Sequence, residues 1–127
     1  MFYEPKKKNH GLSKNPFNSL VIPRPIGWIS TVDKIGVFNL APYSFFNAFS
    51  SNPPILVFSS NRTVANNTTK DTLHNVTLNQ EVVVNVVNYE IVRQMSLASI
   101  SYPAEINEFE KSGLWGWFDL VENHVKH

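Results

Sequence analysis

The sequence predicts a mainly β domain with short helices, of the α+β class, and two observations carry this prediction. From Leu20 to Ser60 the chain is rich in β-branched and aromatic residues, is interrupted by Pro and Gly, and lacks a 3.6-residue apolar period. Later, five of the seven residues of Glu81–Val87 are Val, which favours a strand. At 127 residues, the chain has the length of one domain.

The first half is predicted to form antiparallel strands. The side chains of residues 26–32 are expected to alternate between the two faces of a strand. Asp33–Gly36 then supplies a turn that ends in Gly, so a hairpin is expected. The return strand runs over Val37–Phe46. Because Pro42 has no N–H for a ladder hydrogen bond, we expect a bulge or an exposed edge there.

A strand, a polar loop and a helix are predicted to follow. Their ranges are Ile55–Phe58, Asn61–Lys70 and Asp71–Asn79. The strand is short and apolar, which suits a buried position. For the helix we expect Thr69 or Asp71 as the N-cap, with Leu73 and Val76 facing the core.

The Val-rich strand is apolar on both faces, so we expect it to be central in its sheet. Asn88 can cap a second helix. Its core-facing residues at helical spacing are Ile91, Val92, Met95 and Ala98. A last helix is delimited by Pro103 at its first position, Glu105 in its first turn and Gly113 at its end.

Composition argues against several classes of partner. A net charge of +1 does not produce a large positive electrostatic field that would attract nucleic acid or an anionic membrane surface. The absence of Cys excludes disulfides and thiol chemistry and fits a reducing compartment. No apolar run approaches the roughly 20 residues of a membrane-spanning helix. We therefore expect a cytoplasmic protein without nucleic-acid or membrane partners.

Motifs for metal binding or nucleophilic catalysis are also lacking. The four histidines are scattered, and the chain has neither a Gly-x-Ser-x-Gly elbow nor a dinucleotide or Walker fingerprint. We predict no metal site and assign no catalytic residue. One region suits a phosphate: Ser59 and Ser60 end a strand, and Lys70–Thr72 opens a helix. Hydroxyl-rich loops also serve as ordinary caps and turns, so both interpretations stay open.

Several segments occur in an order that is typical of one family. They are Arg24–Asp33, Gly36, Asn39–Phe46, Asn52–Pro54, Lys70–Thr72 with Asn75 and the Val-rich strand, and Asn107–Leu114. In this order the chain resembles the flavin reductase-like, FMN-binding split-barrel family. A single segment would be unspecific, but their order extends over most of the chain.

The resemblance implies an antiparallel split β-barrel that binds FMN noncovalently, commonly as a homodimer. It also implies an oxidoreductase that moves reducing equivalents from NAD(P)H through FMN to a small acceptor. By this likeness Ser59, Ser60, Lys70 and Thr72 would hold the phosphate, and Asp71 would cap the helix that points at it. The residues expected beside the flavin ring are Thr31, Asn39, Ala41, Pro42 and Ser44.

The likeness divides the chain into a polar N-terminal arm over residues 1–18, a partial FMN-binding domain over 19–114 and an atypical tail over 115–127. Members of the family continue past Leu114 with strands that complete the barrel. We therefore expect an incomplete barrel with an open sheet edge and uncovered apolar surface, on which the tail aromatics Trp115, Trp117 and Phe118 could pack.

The sequence is compatible with three functions. The first is the FMN-dependent oxidoreductase. The second is a non-catalytic flavin-binding or vestigial fragment that requires a complementary half. The third is an oxidase of pyridoxamine phosphate, which uses a related barrel but which the motifs over 39–44 and 70–72 fit less well.

Overall fold

The structure, a computed structural model, describes residues 4, 6–7, 9–61, 69–100, 102–103 and 106–114. Its strands are β1 (Gly27–Val32), β2 (Phe38–Tyr43), β3 (Phe46–Ser51), β4 (Pro54–Phe58) and β5 (Val83–Val86). Its helices are α1 (Asp71–Asn79), α2 (Val92–Leu97) and α3 (Glu108–Ser112), preceded by a 3-10 turn at Pro16–Ser19. The prediction of antiparallel strands with short helices is confirmed.

The predicted hairpin forms between β1 and β2, which pair antiparallel from Gly27 opposite Tyr43 to Val32 opposite Phe38. The turn between them is held by Asp33, whose carboxylate oxygen accepts from the N–H groups of Ile35 and Val37, both at 2.8 Å. This is the way that Asp commonly stabilises a tight turn.

Pro42 lies at an edge and not at a bulge. The pairing register of β2 with β1 runs without interruption through Pro42, opposite Trp28, and β2 is an outer strand of the order β2-β1-β5. The N–H of Leu40 points away from β1, toward a side chain of α3. Pro42, two residues on, has the same orientation, so its missing N–H costs no bond to β1.

The return strand is shorter than predicted, because β2 ends at Tyr43 and a new strand, β3, begins at Phe46. β3 and β4 pair as a separate two-stranded sheet, with a register shift between Ala48 and Ser50. The two sheets meet closely where Phe46 packs on Gly27. A Cβ atom on Gly27 would lie 2.6 Å from the ring, so no larger residue fits there without movement.

The apolar side chains of the β3–β4 hairpin are largely exposed. Ile55, Leu56 and Val57 are between 44% and 53% exposed, and Phe49 of β3 is 69% exposed. The prediction that Ile55–Phe58 forms a buried strand is therefore wrong as to burial. A strand is buried only if another layer covers it, and the described residues supply none there.

The core lies between β1, β2 and the two C-terminal helices. It consists of Trp28, Leu40, Ala98, Phe109 and Leu114, with Ile91 and Met95 packed against it. Three of the four predicted core contacts of α2 are thus confirmed. The fourth, Val92, is 39% exposed, because it lies at the first residue of α2 and outside the apolar stripe.

Two predictions about the other elements are corrected. Among the described strands β5 pairs only with β1, so it is an edge strand and not a central one, and its Val86 is 82% exposed. α3 begins at Glu108 and not at Pro103, because the Asn107 side chain caps it by accepting from the N–H of Phe109. Glu105 lies outside the described residues.

The end of α3 agrees with the prediction. Gly113 adopts a φ of 75°, the left-handed conformation that terminates helices. Within the described part of the chain, no helix has the length and apolar character needed to cross a bilayer. The tail aromatics Trp115, Trp117 and Phe118 lie outside the described residues.

Candidate functional site

The helix α1 turns polar side chains toward the sheet. Thr72 and Asn75 are 1% and 4% exposed, whereas Leu73 is 41% exposed and Val76 is half-buried. The expectation that Leu73 and Val76 face the core is therefore wrong for Leu73. Burying polar groups requires hydrogen-bond partners for them, and β1 and β2 provide these partners.

A chain of side-chain hydrogen bonds joins α1 to both strands. The Thr72 hydroxyl donates to Oδ1 of Asn39 at 2.6 Å, and the Thr31 hydroxyl lies 3.4 Å from the same oxygen. The Asn75 amide donates to the Thr31 hydroxyl at 3.2 Å. At the far end of the helix, Asn79 donates to the carbonyl oxygen of Val32 at 2.6 Å. These bonds set the position of α1 on the sheet.

The network ends on a buried carboxylate, that of Glu108 at the start of α3. Its Oε1 accepts from the Asn39 amide at 3.1 Å, and its Oε2 accepts from the N–H of Leu40 at 3.3 Å. Burial raises the pKa of the Glu108 carboxyl above its ordinary value of 4.5, and repulsion by Asp71 adds to this, while hydrogen bonds to the carboxylate act in the opposite direction.

The first turn of α1 leaves backbone N–H groups outside the helical ladder. The helix begins after Lys70, whose side chain makes no cap, and its first intrahelical bond runs from His74 N to Lys70 O at 3.1 Å. The prediction of Thr69 or Asp71 as N-cap is wrong, since Lys70 holds that position and Asp71 is the first helical residue. A carboxylate in the first turn still favours the helix electrostatically.

Tyr43 joins the two stretches that were expected to meet a nucleotide. Its hydroxyl lies 3.5 Å from that of Ser60, and Nζ of Lys70 lies 5.4 Å from the centre of its ring. Its ring also packs on Phe58 at 5.2 Å between centroids. The end of β2, the end of β4 and the start of α1 therefore converge on one place.

Ser44 and Ser59 lie beside that place, in an open groove of about 380 Å³ that they line together with Arg24 and Phe45. The N–H of Ser59 donates to the carbonyl of Phe45 at 2.9 Å, and the Arg24 guanidinium carbon lies 4.7 Å above the Phe45 ring. Neither Arg24 nor Glu108 was among the predicted site residues. Both lie in segments that carry the family resemblance, and this resemblance is the feature of the sequence that could have indicated them.

The predicted residues thus divide into two groups. Thr31, Asn39 and Thr72 are buried within the hydrogen-bond network. The others lie at the accessible or half-buried rim: Ala41, Pro42, Ser44, Ser59, Ser60, Lys70 and Asp71. Asp71 and Glu108 both line a second groove, of about 570 Å³. Among the described residues, no group of three His, Asp or Glu side chains could hold a metal ion.

Comparison with known proteins decides the family. The model of the flavin reductase like domain matches residues 19–116, which include both sheets and the whole network. The chain belongs to the flavin reductase-like family. This match agrees with the resemblance noted in the sequence.

The chain is similar in sequence to other proteins and in fold to several solved structures. An uncharacterized protein of Aquifex aeolicus is 51% identical over 96 residues, which are 75% of this chain and 48% of that protein. The solved structure of nitrilotriacetate monooxygenase component B from Bacillus cereus is 30% identical, with a TM-score of 0.75, and the match covers 89% of this chain and 55% of that one.

A solved structure with a split barrel domain, from Shewanella frigidimarina, has the same fold with a TM-score of 0.69 at 24% identity, over 89% of this chain and 56% of that one. The split-barrel fold class is therefore confirmed. The chain spans about half the length of the curated relatives that it matches.

The buried carboxylate predicts a pH dependence of stability. Because the folded state raises the pKa of Glu108, it binds more protons than the unfolded state between the two pKa values. The contribution of Glu108 to stability is therefore greatest in acid and is lost as the pH rises from about 4.5 through the raised pKa. We predict that the free energy of unfolding of the wild type, relative to that of Glu108→Gln, decreases over this interval.

Urea unfolding of both proteins between about pH 4 and pH 8 measures this difference. Glu110→Gln is the matched control, because Glu110 is an exposed acid on the same helix. A difference that stays constant, or that increases with pH, would contradict the assignment.

Proposed function

We propose that this chain binds FMN noncovalently and supplies the flavin-binding part of an oxidoreductase. In this proposal reducing equivalents pass from NAD(P)H through the bound flavin to a small acceptor. The observation that carries the proposal is the convergence of Ser60, Lys70 and the first turn of α1 around Tyr43. Membership of the flavin reductase-like family supports the same function.

The convergence has the chemistry that a phosphate dianion needs. Lys70 supplies a positive charge, Ser59 and Ser60 supply hydroxyl donors, and the N–H groups at the start of α1 are outside the helical ladder. Anions bind well at such helix starts because the free N–H groups and the helix dipole both favour negative charge. The hydroxyl of Thr72 donates to Asn39, so we assign its backbone N–H to the phosphate.

The flavin ring is proposed to lie along the end of β2 and the short segment that joins it to β3. Ala41 and Pro42 lie at the end of β2 and Ser44 lies on the joining segment; all three are half-buried, and the groove beside Ser44 is open to a ligand. Thr31 and Asn39 lie opposite each other in the β1–β2 hairpin, farther from the end of β2, within the buried network. The flavin would supply the hydride and electron chemistry, while the protein binds and orients it.

The likeness to a monooxygenase component, at 30% identity, supports an oxidoreductase. A homodimer is also proposed, because the exposed apolar side chains of the β3–β4 hairpin offer a surface that a second copy could cover. The chain covers about half of its relatives, so the activity of the whole protein is part of this proposal.

We predict that Lys70→Met raises the dissociation constant of FMN at least tenfold. Methionine keeps most of the length of the side chain but removes the charge, and a hydrogen bond to a charged group contributes roughly 1.5–3 kcal/mol. Titration followed by the quenching of flavin fluorescence measures the constant. Lys14→Met is the control, because Lys14 is an exposed lysine in the N-terminal arm. Equal affinities for the two variants, or a wild type that does not bind FMN, would refute the phosphate site.

A second candidate function is favoured by the exposed β3–β4 surface. With Phe49 and three residues of β4 exposed, the chain resembles one part of a larger assembly. In this candidate the chain binds flavin without turning it over until a complementary half is present. Steady oxidation of NADH or NADPH by the FMN-loaded chain alone would exclude it.

The same surface predicts association. We expect the chain to self-associate as its concentration rises, and Leu56→Lys to reduce this association, because it places a charge on the exposed apolar hairpin. Leu12→Lys is a matched control, since Leu56 and Leu12 are 53% and 54% exposed. Sedimentation velocity measures the effect. If the two variants and the wild type sediment alike at every concentration, the β3–β4 surface is not an interface.

A further inference from the structure

Glu108 is a buried acid to which the proposed function assigns no role. It is the first residue of α3, is 8% exposed, and directs both carboxylate oxygens at β2. It lines the groove that contains Asp71 and not the groove beside Ser44 and Ser59. Any influence of Glu108 on a ligand in the groove beside Ser44 and Ser59 must therefore pass through other residues.

The ionised carboxylate determines which way the network runs. A carboxylate only accepts hydrogen bonds, so Asn39 must turn its NH₂ group toward Glu108 and its oxygen toward the hydroxyls of Thr72 and Thr31. A protonated carboxyl can itself donate. The amide of Asn39 could then reverse, and its NH₂ group would face the two hydroxyls.

The Asn39 oxygen holds the start of α1. Thr72 is the second residue of that helix and donates to this oxygen at 2.6 Å, which is the shorter of the two hydroxyl contacts that Asn39 receives. The N–H groups proposed to meet the phosphate belong to the same turn, directly after Lys70. The orientation of one amide on β2 thus fixes the placement of these donors.

We propose that Glu108 is a positioning residue for the phosphate site of the flavin, acting through Asn39 and Thr72 on the first turn of α1. The inference rests on the proposed function. Glu108 touches neither the phosphate nor the ring in this arrangement, and its effect is to keep the N–H donors preorganised. Preorganisation of a site lowers the cost of binding.

The charged and titratable groups around Glu108 come from α1 and from the β1–β2 turn. α1 places Asp71 and His74 along the same groove, and the β1–β2 turn contributes Asp33 and Lys34. β2 faces Glu108 with an amide and a backbone N–H. α2, which also packs on α3, contacts the core with apolar side chains. Asp71 is the group whose charge opposes ionisation of Glu108.

The test compares FMN with riboflavin, which has the same ring and no phosphate. For Glu108→Gln we expect the dissociation constant of FMN to rise at least tenfold and that of riboflavin to change less than about twofold. Gln keeps the shape of the side chain but presents a donor where the network needs an acceptor. Glu110→Gln, on the exposed side of α3, should change neither constant.

A pH series provides a readout that a purely structural role would not move. As the pH falls, protonation of Glu108 should weaken FMN binding by the wild type more than by Glu108→Gln, which has no carboxyl at this position. The comparison uses the same ligand at each pH, so ionisation of the FMN phosphate affects both proteins equally. Parallel pH profiles would overturn the proposal.

Each remaining outcome is decisive. If the wild type does not bind FMN, the proposed function itself fails. If the wild type prefers FMN to riboflavin and Glu108→Gln binds both as the wild type does, the function stands and the positioning role is wrong. Equal weakening of FMN and riboflavin by Glu108→Gln indicates a structural role and also overturns the proposal.

Circular dichroism shows whether the Gln variant folds. If it does not, Thr72→Val and Thr72→Ser decide the question. The first removes the hydroxyl and should weaken FMN selectively, whereas the second keeps it and should bind as the wild type does. Failure of both Glu108→Gln and Thr72→Val to fold would assign the network to folding alone and overturn the positioning role.

Discussion

The structure depends on one side-chain amide, that of Asn39. It accepts from Thr72 of α1 and lies within hydrogen-bonding distance of Thr31 of β1, and it donates to Glu108 of α3. Four elements therefore meet at a single buried residue. Polar networks of this kind specify one arrangement when every member is satisfied, and they are costly when a member is lost. Here the network places a helix start beside Tyr43, where the proposed phosphate site lies.

Glu108 shows the cost of this arrangement. Burial and the nearby Asp71 disfavour the charged form of its carboxyl group. The fold therefore stabilises the ionised carboxylate, which orients Asn39, less than the protonated carboxyl. Buried charged groups retained against such a cost are typical of functional sites, where stability and function compete. The hydrogen bonds from Asn39 and from the N–H of Leu40 offset part of the penalty.

Local features of the sequence predicted local structure well. The β1–β2 hairpin and the end of α3 at Gly113 follow from turn chemistry within a few residues. The burial of the polar face of α1 could not be predicted in this way. The apolar residues of the helix suggested that the opposite face would be buried, and the hydrogen-bond partners of the polar residues lie on strands distant in sequence. Glu108 and Asn39 are 69 positions apart. The exposure of β4 depends on what covers it, which no pattern within the strand specifies. The candidate site residues came from the family resemblance, and only the fold shows how Tyr43 brings them together.

The central claim is that the start of α1 and the end of β4 bind the phosphate of FMN. Mapping of backbone amide shifts by NMR, with FMN and then with riboflavin, tests it directly. The account predicts large shifts for residues 70–73 and for Ser59 and Ser60 with FMN, and much smaller shifts at the same amides with riboflavin. Shifts of equal size at these amides for the two ligands, or shifts confined to other parts of the chain, would contradict it.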